Sequence, residues 1–312
     1  MGTASIGLGV LDLLCAHPLI DLKLIVAPTS KKVGREMVLT DPATIQFAKE
    51  RKIEFYQTDS INNDENLFKK IQDYKVDVLL VFAFSQFLSK RYLEVAKYHA
   101  YNIHTSLLPK YRGASPIQFA ILNGDTQTGI CIQKMAKKMD AGDIVLKKEC
   151  PIYEYETTPL LYERLKLLAG TLMGEFIDEL LVKNKNSSTF MVQEESGVSF
   201  APEIKKEDGV VDFEKDSAFK IEKMLRAYYP WPGVFFTLEG EKIQLIQAKI
   251  YTTQSEIPTT EKKSHKGLYA RCADSTFLKL EKIKRAGKKV QTDNEFLNGY
   301  RGEFSHGTYF IA

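Results

Sequence analysis

The chain has 312 residues, 44% of them hydrophobic and 27% charged, with 43 Lys and Arg against 40 Asp and Glu. That is enough chain for two domains with full cores, and the composition is that of an ordinary globular protein. No apolar run approaches the roughly 20 residues of a membrane span, no basic stretch precedes the mildly apolar start as in a secretory signal, and Cys15, Cys131, Cys150 and Cys272 form no CxxC pair, which points to a reducing compartment without disulfide framework or zinc site. Residues 6–17 read as a helix, with Leu8, Leu11, Leu14 and Cys15 at helical spacing. A strand at 22–27 leads into a polar, basic loop over 28–40 that holds Lys31, Lys32, Gly34 and Arg35. Asp41 and Pro42 are placed to open a helix as N-cap and first helical residue. A short strand at 53–56, a helix at 62–74 and a buried strand at 76–83 follow. This alternation predicts an α/β chain with a doubly wound, mostly parallel sheet. Gly2, Gly7 and Gly9 make no GxGxxG at a strand-to-helix turn, so no dinucleotide site is read.

A second short strand, 99–103, brings Asn102 and His104 to its end. Residues two apart on a strand point to one face, so an amide and an imidazole project side by side ahead of a turn rich in Pro and Gly. The amide can donate to a carbonyl oxygen, and the imidazole can donate, accept or shuttle a proton near neutral pH. Alone, such a pair is ordinarily structural. Here it heads a longer run: Ser106-Leu107-Leu108-Pro109, Arg112-Gly113, Ala114-Ser115-Pro116-Ile117-Gln118, Gly124-Asp125, Thr128-Gly129 and Met139-Asp140-Ala141-Gly142-Asp143-Ile144. Residues 128–134 and 143–149 read as strands around the loop carrying Asp140. Thr157-Thr158-Pro159 opens a long amphipathic helix to about residue 182.

In order and spacing these motifs resemble the formyltransferase family that uses 10-formyltetrahydrofolate as co-substrate. The resemblance implies that Asp140 completes a catalytic trio with Asn102 and His104. It also implies that Phe84, Gln86 and the turn Ser106, Leu107, Leu108 and Pro109 line the folate site. Family members begin with an apolar strand that ends in a Gly-Thr turn. This chain starts at the turn, so one inner strand of the sheet is expected to be absent and its neighbours to lose partners.

A polar linker is expected over 184–199, dividing a catalytic domain, 1–183, from a second domain, 200–312. In the latter a short helix ending near Arg226 precedes Pro230-Trp231-Pro232, read as a rigid turn holding an aromatic in the core. Short strands at 234–238, 242–248, 267–272 and 276–283 predict a small open β-barrel, OB-like. Between Lys262 and Lys289 ten Lys or Arg stand against Asp274 and Glu281, which is how a polyanion footprint looks. The second domain resembles that of methionyl-tRNA formyltransferases. That resemblance implies initiator methionyl-tRNA as partner, with contacts from Lys31, Lys32, Arg35, Lys284, Arg285, Lys288 and Lys289.

The trio suits formyl transfer to an amine. Asn102 and a protonated His104 would stabilise negative charge on the formyl oxygen. Asp140 would hold the ring and help move the amine proton to the leaving nitrogen. No Ser or Cys nucleophile with a neighbouring base and no metal cluster is evident. A monomer, cytoplasmic or mature organellar, is expected. Two other readings fit: a sugar-amine N-formyltransferase acting on an aminosugar nucleotide, and a catalytically silent RNA-binding relative.

Overall fold

Apolar runs of four to eight residues, separated by amphipathic helices, can bury both faces only as inner strands of a covered sheet. The computed structural model describes residues 1–34, 36–179, 190–257, 267–299 and 309–311. Its chain divides into two units. One comprises Met1–Pro116, Thr126–Ile152 and Leu160–Pro202, the other Ile117–Asp125, Tyr153–Pro159 and Glu203–Ala312. Residues 184–189 of the expected linker lie outside the described residues, and 190–199 fall within the first unit.

The chain order is α1 (Leu8–Ala16), β1 (Ile25–Ala27), β2 (Lys31–Val33), β3 (Val38–Thr40), α2 (Ala43–Arg51), β4 (Phe55–Gln57), α3 (Glu65–Tyr74), β5 (Leu79–Phe82), α4 (Lys90–Leu93), β6 (Ala100–His104), α5 (Pro116–Leu122), β7 (Gln127–Lys134), β8 (Ile144–Pro151) and α6 (Thr158–Ile177). In the first unit β1 and β4 pair parallel, as do β5 and β6, while β7 and β8 add antiparallel beyond β6. Val26, Leu67, Ile71, Val81, Tyr92 and Ala100 form a core cluster beside this sheet. The predicted loop at 28–40 holds a hairpin instead, β2 with β3, in which Lys31 faces Thr40 and Lys32 faces Leu39. Asp41 does not cap α2. Its carboxylate is taken by Lys49 at 2.5 Å and by the Ser30 hydroxyl, and the cap position falls on Pro42.

Among the described residues, Met1 and Gly2 lie between β1 and β5. Gly2 N donates to Val26 O at 3.0 Å, Phe82 N donates to Met1 O at 3.0 Å, and the terminal amine donates to Leu80 O at 2.6 Å. Alongside them lies a mostly apolar cavity of about 440 Å³, lined among others by Leu22, Leu24, Val76, Val78, Met173 and Ile177.

In the second unit Ser217 caps α7 (Ala218–Ala227), its hydroxyl accepting from Lys220 N at 3.1 Å. The strands are β9 (Val234–Leu238), β10 (Glu241–Tyr251), β11 (Leu268–Arg271), β12 (Phe277–Arg285), β13 (Val290–Thr292) and β14 (Tyr309–Ile311), with α8 (Asp293–Gly299) before the last. They form an open antiparallel sheet in the order β14-β11-β12-β10-β9, with β13 on β12. Trp231 corrects the sequence reading, since it is 59% exposed rather than buried. The core position is filled by Phe213, Phe236 and Tyr309, whose rings pack edge to face or tilted. No described helix is long and apolar enough to cross a membrane.

Candidate active site

β6 ends in Asn102, Ile103 and His104. Ile103 is buried on the opposite side, so the two polar residues share a face. His104 is buried, and its Nε2 lies 2.8 Å from the carbonyl of Tyr111. A carbonyl only accepts, so this nitrogen carries the proton and Nδ1 is turned to Asp140 Oδ1, 3.7 Å away. Asn102 Nδ2 donates to the same carboxylate oxygen at 3.3 Å. The structure therefore brings Asn102, His104 and Asp140 together, the meeting that the resemblance to formyltransferases implies.

Two groups at this carboxylate were not foreseen. Gln133 sits directly across from Asn102 in the β6–β7 register, and its Nε2 donates to Asp140 Oδ1 at 2.9 Å. The backbone N–H of Gly113 donates to Oδ2 at 2.9 Å. Asp140 itself has φ +50°, a left-handed conformation that Asp tolerates better than most residues. The sequence does carry a signal for Gln133, one amide directly after the apolar stretch Ile130-Cys131-Ile132, and the structure leaves it 2% exposed. A buried amide of that kind has to find partners.

The Asp140 loop closes tightly. A Cβ on Gly142 would sit 1.7 Å from the carbonyl oxygen of Lys134, and backbone cannot give way as a flexible side chain would. Gly142→Ala is therefore expected to displace the loop. Urea unfolding should show a loss of about 1–3 kcal/mol, as for other overpacked sites, together with reduced turnover. Gly113, at φ +127° and with Ala201 O 2.5 Å from its notional Cβ, is constrained in the same way.

The residues expected around the folate shape the turn partly from inside. The Ser106 hydroxyl donates to Lys110 O at 2.6 Å, and Leu108 is packed with Cys131 and Ile144. Leu107 and Pro109 are half-buried. Gln86 spans the start of its loop, accepting from Ile61 N at 2.7 Å and donating to Thr58 O at 2.6 Å, while Phe84 leans on the core. Arg112, 2% exposed, donates from Nε to Gln193 Oε1 at 3.0 Å and from Nη1 to Glu195 at 3.3 Å, a structural setting. Burial pushes the Cys131 thiol up to about 11, which removes it as a nucleophile at neutral pH. Among the described residues no group of three or more His, Cys, Asp or Glu could hold a metal ion.

Of the expected cationic contacts, Lys31 and Lys32 are exposed on β2, and Arg35 lies outside the described residues. In the second unit Lys288 and Lys289 are exposed in the turn after β12 and Lys284 is half-buried. Arg285 is paired with Glu241, Nη2 to Oε2 at 2.7 Å, so its charge is locally balanced.

An amide, an imidazole and a carboxylate thus meet at the end of an inner strand of the sheet, and comparison with known proteins places that frame among group-transfer enzymes. Residues 17–177 match the family profile described as Formyl transferase, and residues 203–301 match Formyl transferase, C-terminal domain. The methionyl-tRNA formyltransferase of Lactobacillus johnsonii is 32% identical, covering 100% of this chain and 98% of its own. That of Lactiplantibacillus plantarum is 33% identical at the same coverages. The chain belongs to the methionyl-tRNA formyltransferase family. Solved structures share the fold at lower identity. A sugar 3N-formyl transferase superposes with TM-score 0.62 at 16% identity, over 92% of this chain and 97% of its own. An N-formyltransferase from Helicobacter canadensis gives 0.63 at 17%, over 89% and 96%.

Proposed function

We propose that this chain transfers the formyl group of 10-formyltetrahydrofolate to the α-amino group of methionyl-initiator tRNA. The observation that carries the reading is the buried meeting of Asn102, His104 and Asp140 in a chain that matches methionyl-tRNA formyltransferases along its whole length. As the amine attacks, a C–N bond forms at the formyl carbon, the bond to N10 breaks, and one proton passes from the amine to N10. Charge develops on the formyl oxygen meanwhile. Asn102 spends one amide hydrogen on Asp140 and has a second for that oxygen. His104 exchanges the Tyr111 carbonyl for the same oxygen, trading one hydrogen bond for a charge-assisted one. Asp140 faces the ring and, through a water, receives and returns the proton.

The test is a formyl-transfer assay on purified chain with 10-formyltetrahydrofolate and charged initiator tRNA, beside His104→Ala. Formylmethionine from the parent alone supports the reading. No product from folded parent protein would sink it. The tRNA footprint has its own test. Lys284→Glu, Lys288→Glu and Lys289→Glu combined should flatten the salt dependence of tRNA binding, by about 0.9 in log–log slope for each phosphate no longer neutralised. An unchanged slope places the footprint elsewhere.

A further inference from the structure

Behind Asp140 lies a second layer of side chains. Gln193 Nε2 donates to the carbonyl of Asp140 at 2.9 Å and to that of Gly142 at 2.6 Å. Its Oε1 accepts from Arg112 Nε at 3.0 Å. A guanidinium only donates and the two loop carbonyls only accept, so the amide has one orientation, and flipping it would oppose like groups on both sides. Gln193 is 7% exposed and Arg112 2%, so water cannot replace either partner easily. The segment carrying Gln193 is tied down at both ends. Ile144 and Met191 exchange two backbone hydrogen bonds of 2.9 Å. Arg112 N donates to Ser199 O at 2.9 Å, and Ala201 N donates to Arg112 O at 2.8 Å. Residues 191–201 thus run as a strap across the loop.

We propose that Gln193, oriented by Arg112, is a positioning residue for Asp140. It clamps the carbonyls of left-handed Asp140 and of Gly142, on either side of Ala141, and so fixes where the carboxylate meets His104 and Asn102. It is set well after β6 in the chain and outside the motif run. The inference rests on the catalytic reading of the trio given above.

The geometry to be held is fine, since a misplacement of about 1 Å can cost on the order of a hundredfold in rate. Gln193→Glu keeps the shape and the Arg112 partner but cannot donate to either carbonyl. It should lower kcat about 10- to 100-fold, change KM for tRNA less than threefold and alter the pH profile of kcat. The deciding readout is a double-mutant cycle with Asp140→Asn. A residue that acts through Asp140 has nothing left to position in that background, so Gln193→Glu should there cost less than threefold. If it costs the same factor in both backgrounds, Gln193 is merely structural and this inference fails while the trio stands. If Asp140→Asn alone is as active as the parent, the catalytic reading fails first. Gln193→Asn, which retains the amide on a shorter stem, guards against a variant that does not fold. Loss of folding in both, read by circular dichroism, also assigns Gln193 a structural role and overturns the proposal.

Discussion

Asp140→Asn should lower kcat for formyl transfer by about 10²–10³-fold while circular dichroism remains that of the parent. The substitution preserves shape and removes one charge. It also breaks a hydrogen-bond pattern that only a carboxylate can satisfy. Oδ1 accepts from Asn102 and Gln133, and Oδ2 accepts from the N–H of Gly113. An asparagine has one oxygen and one NH2. Set with its oxygen toward Asn102 and Gln133, it turns an NH2 on the Gly113 N–H, and set the other way it turns the NH2 on two side-chain donors. Either choice leaves a buried donor without an acceptor, at a cost of about 1–3 kcal/mol. The rate loss has a separate source, for the ring of His104 then faces a neutral amide and nothing accepts the amine proton. Two measurements separate the effects. Urea unfolding reads the first, and single-turnover formyl transfer with saturating tRNA reads the second. A variant that unfolds more easily but transfers formyl at the parental rate would remove Asp140 from the chemistry.

The Asn102–His104 pair could be read without coordinates because it is local: two residues at i and i+2 on a strand share a face whatever the sheet around them. Asp140 is distant in the chain and was joined to the pair only by the resemblance of the motif run to formyltransferases. The partners of Asp140 are not local in that sense. Gln133 meets it through the register that sets Asn102 against Gln133, and Gln193 arrives on a chain segment that sequence reading assigned to a polar linker. Polarity was a poor guide there, because Gln193 and Arg112 are buried polar groups satisfying one another. Pro230-Trp231-Pro232 shows the converse error. An aromatic between prolines invites a core assignment, yet the core of that unit is already filled by Phe213, Phe236 and Tyr309, and Trp231 stays at the surface. The basic loop at 28–40 was misread because three-residue strands such as β2 and β3 are too short to show alternation.

The second large effect is expected in stability rather than rate, and it originates at Met1. The terminal amine lies between two strands beside the apolar cavity, and desolvation lowers it from 8.0 to about 5. Between those values the unfolded chain carries a proton there and the folded chain does not. The unfolded state binds more protons, so stability rises with pH across the window from 5 to 8 and is flat in this group above and below it. Three units at about 1.4 kcal/mol each set an upper bound on the order of 4 kcal/mol, approached only if the cavity stays dry. Acetylating the amine removes the titration altogether. The blocked chain should therefore gain most over the free chain at pH 5.5 and least at pH 8, by urea unfolding at constant ionic strength. Other titrating groups are common to both and drop out of the difference. Equal pH slopes for the free and blocked chains would mean that the amine reaches water, and that the sheet opens beside Met1 rather than closing on it.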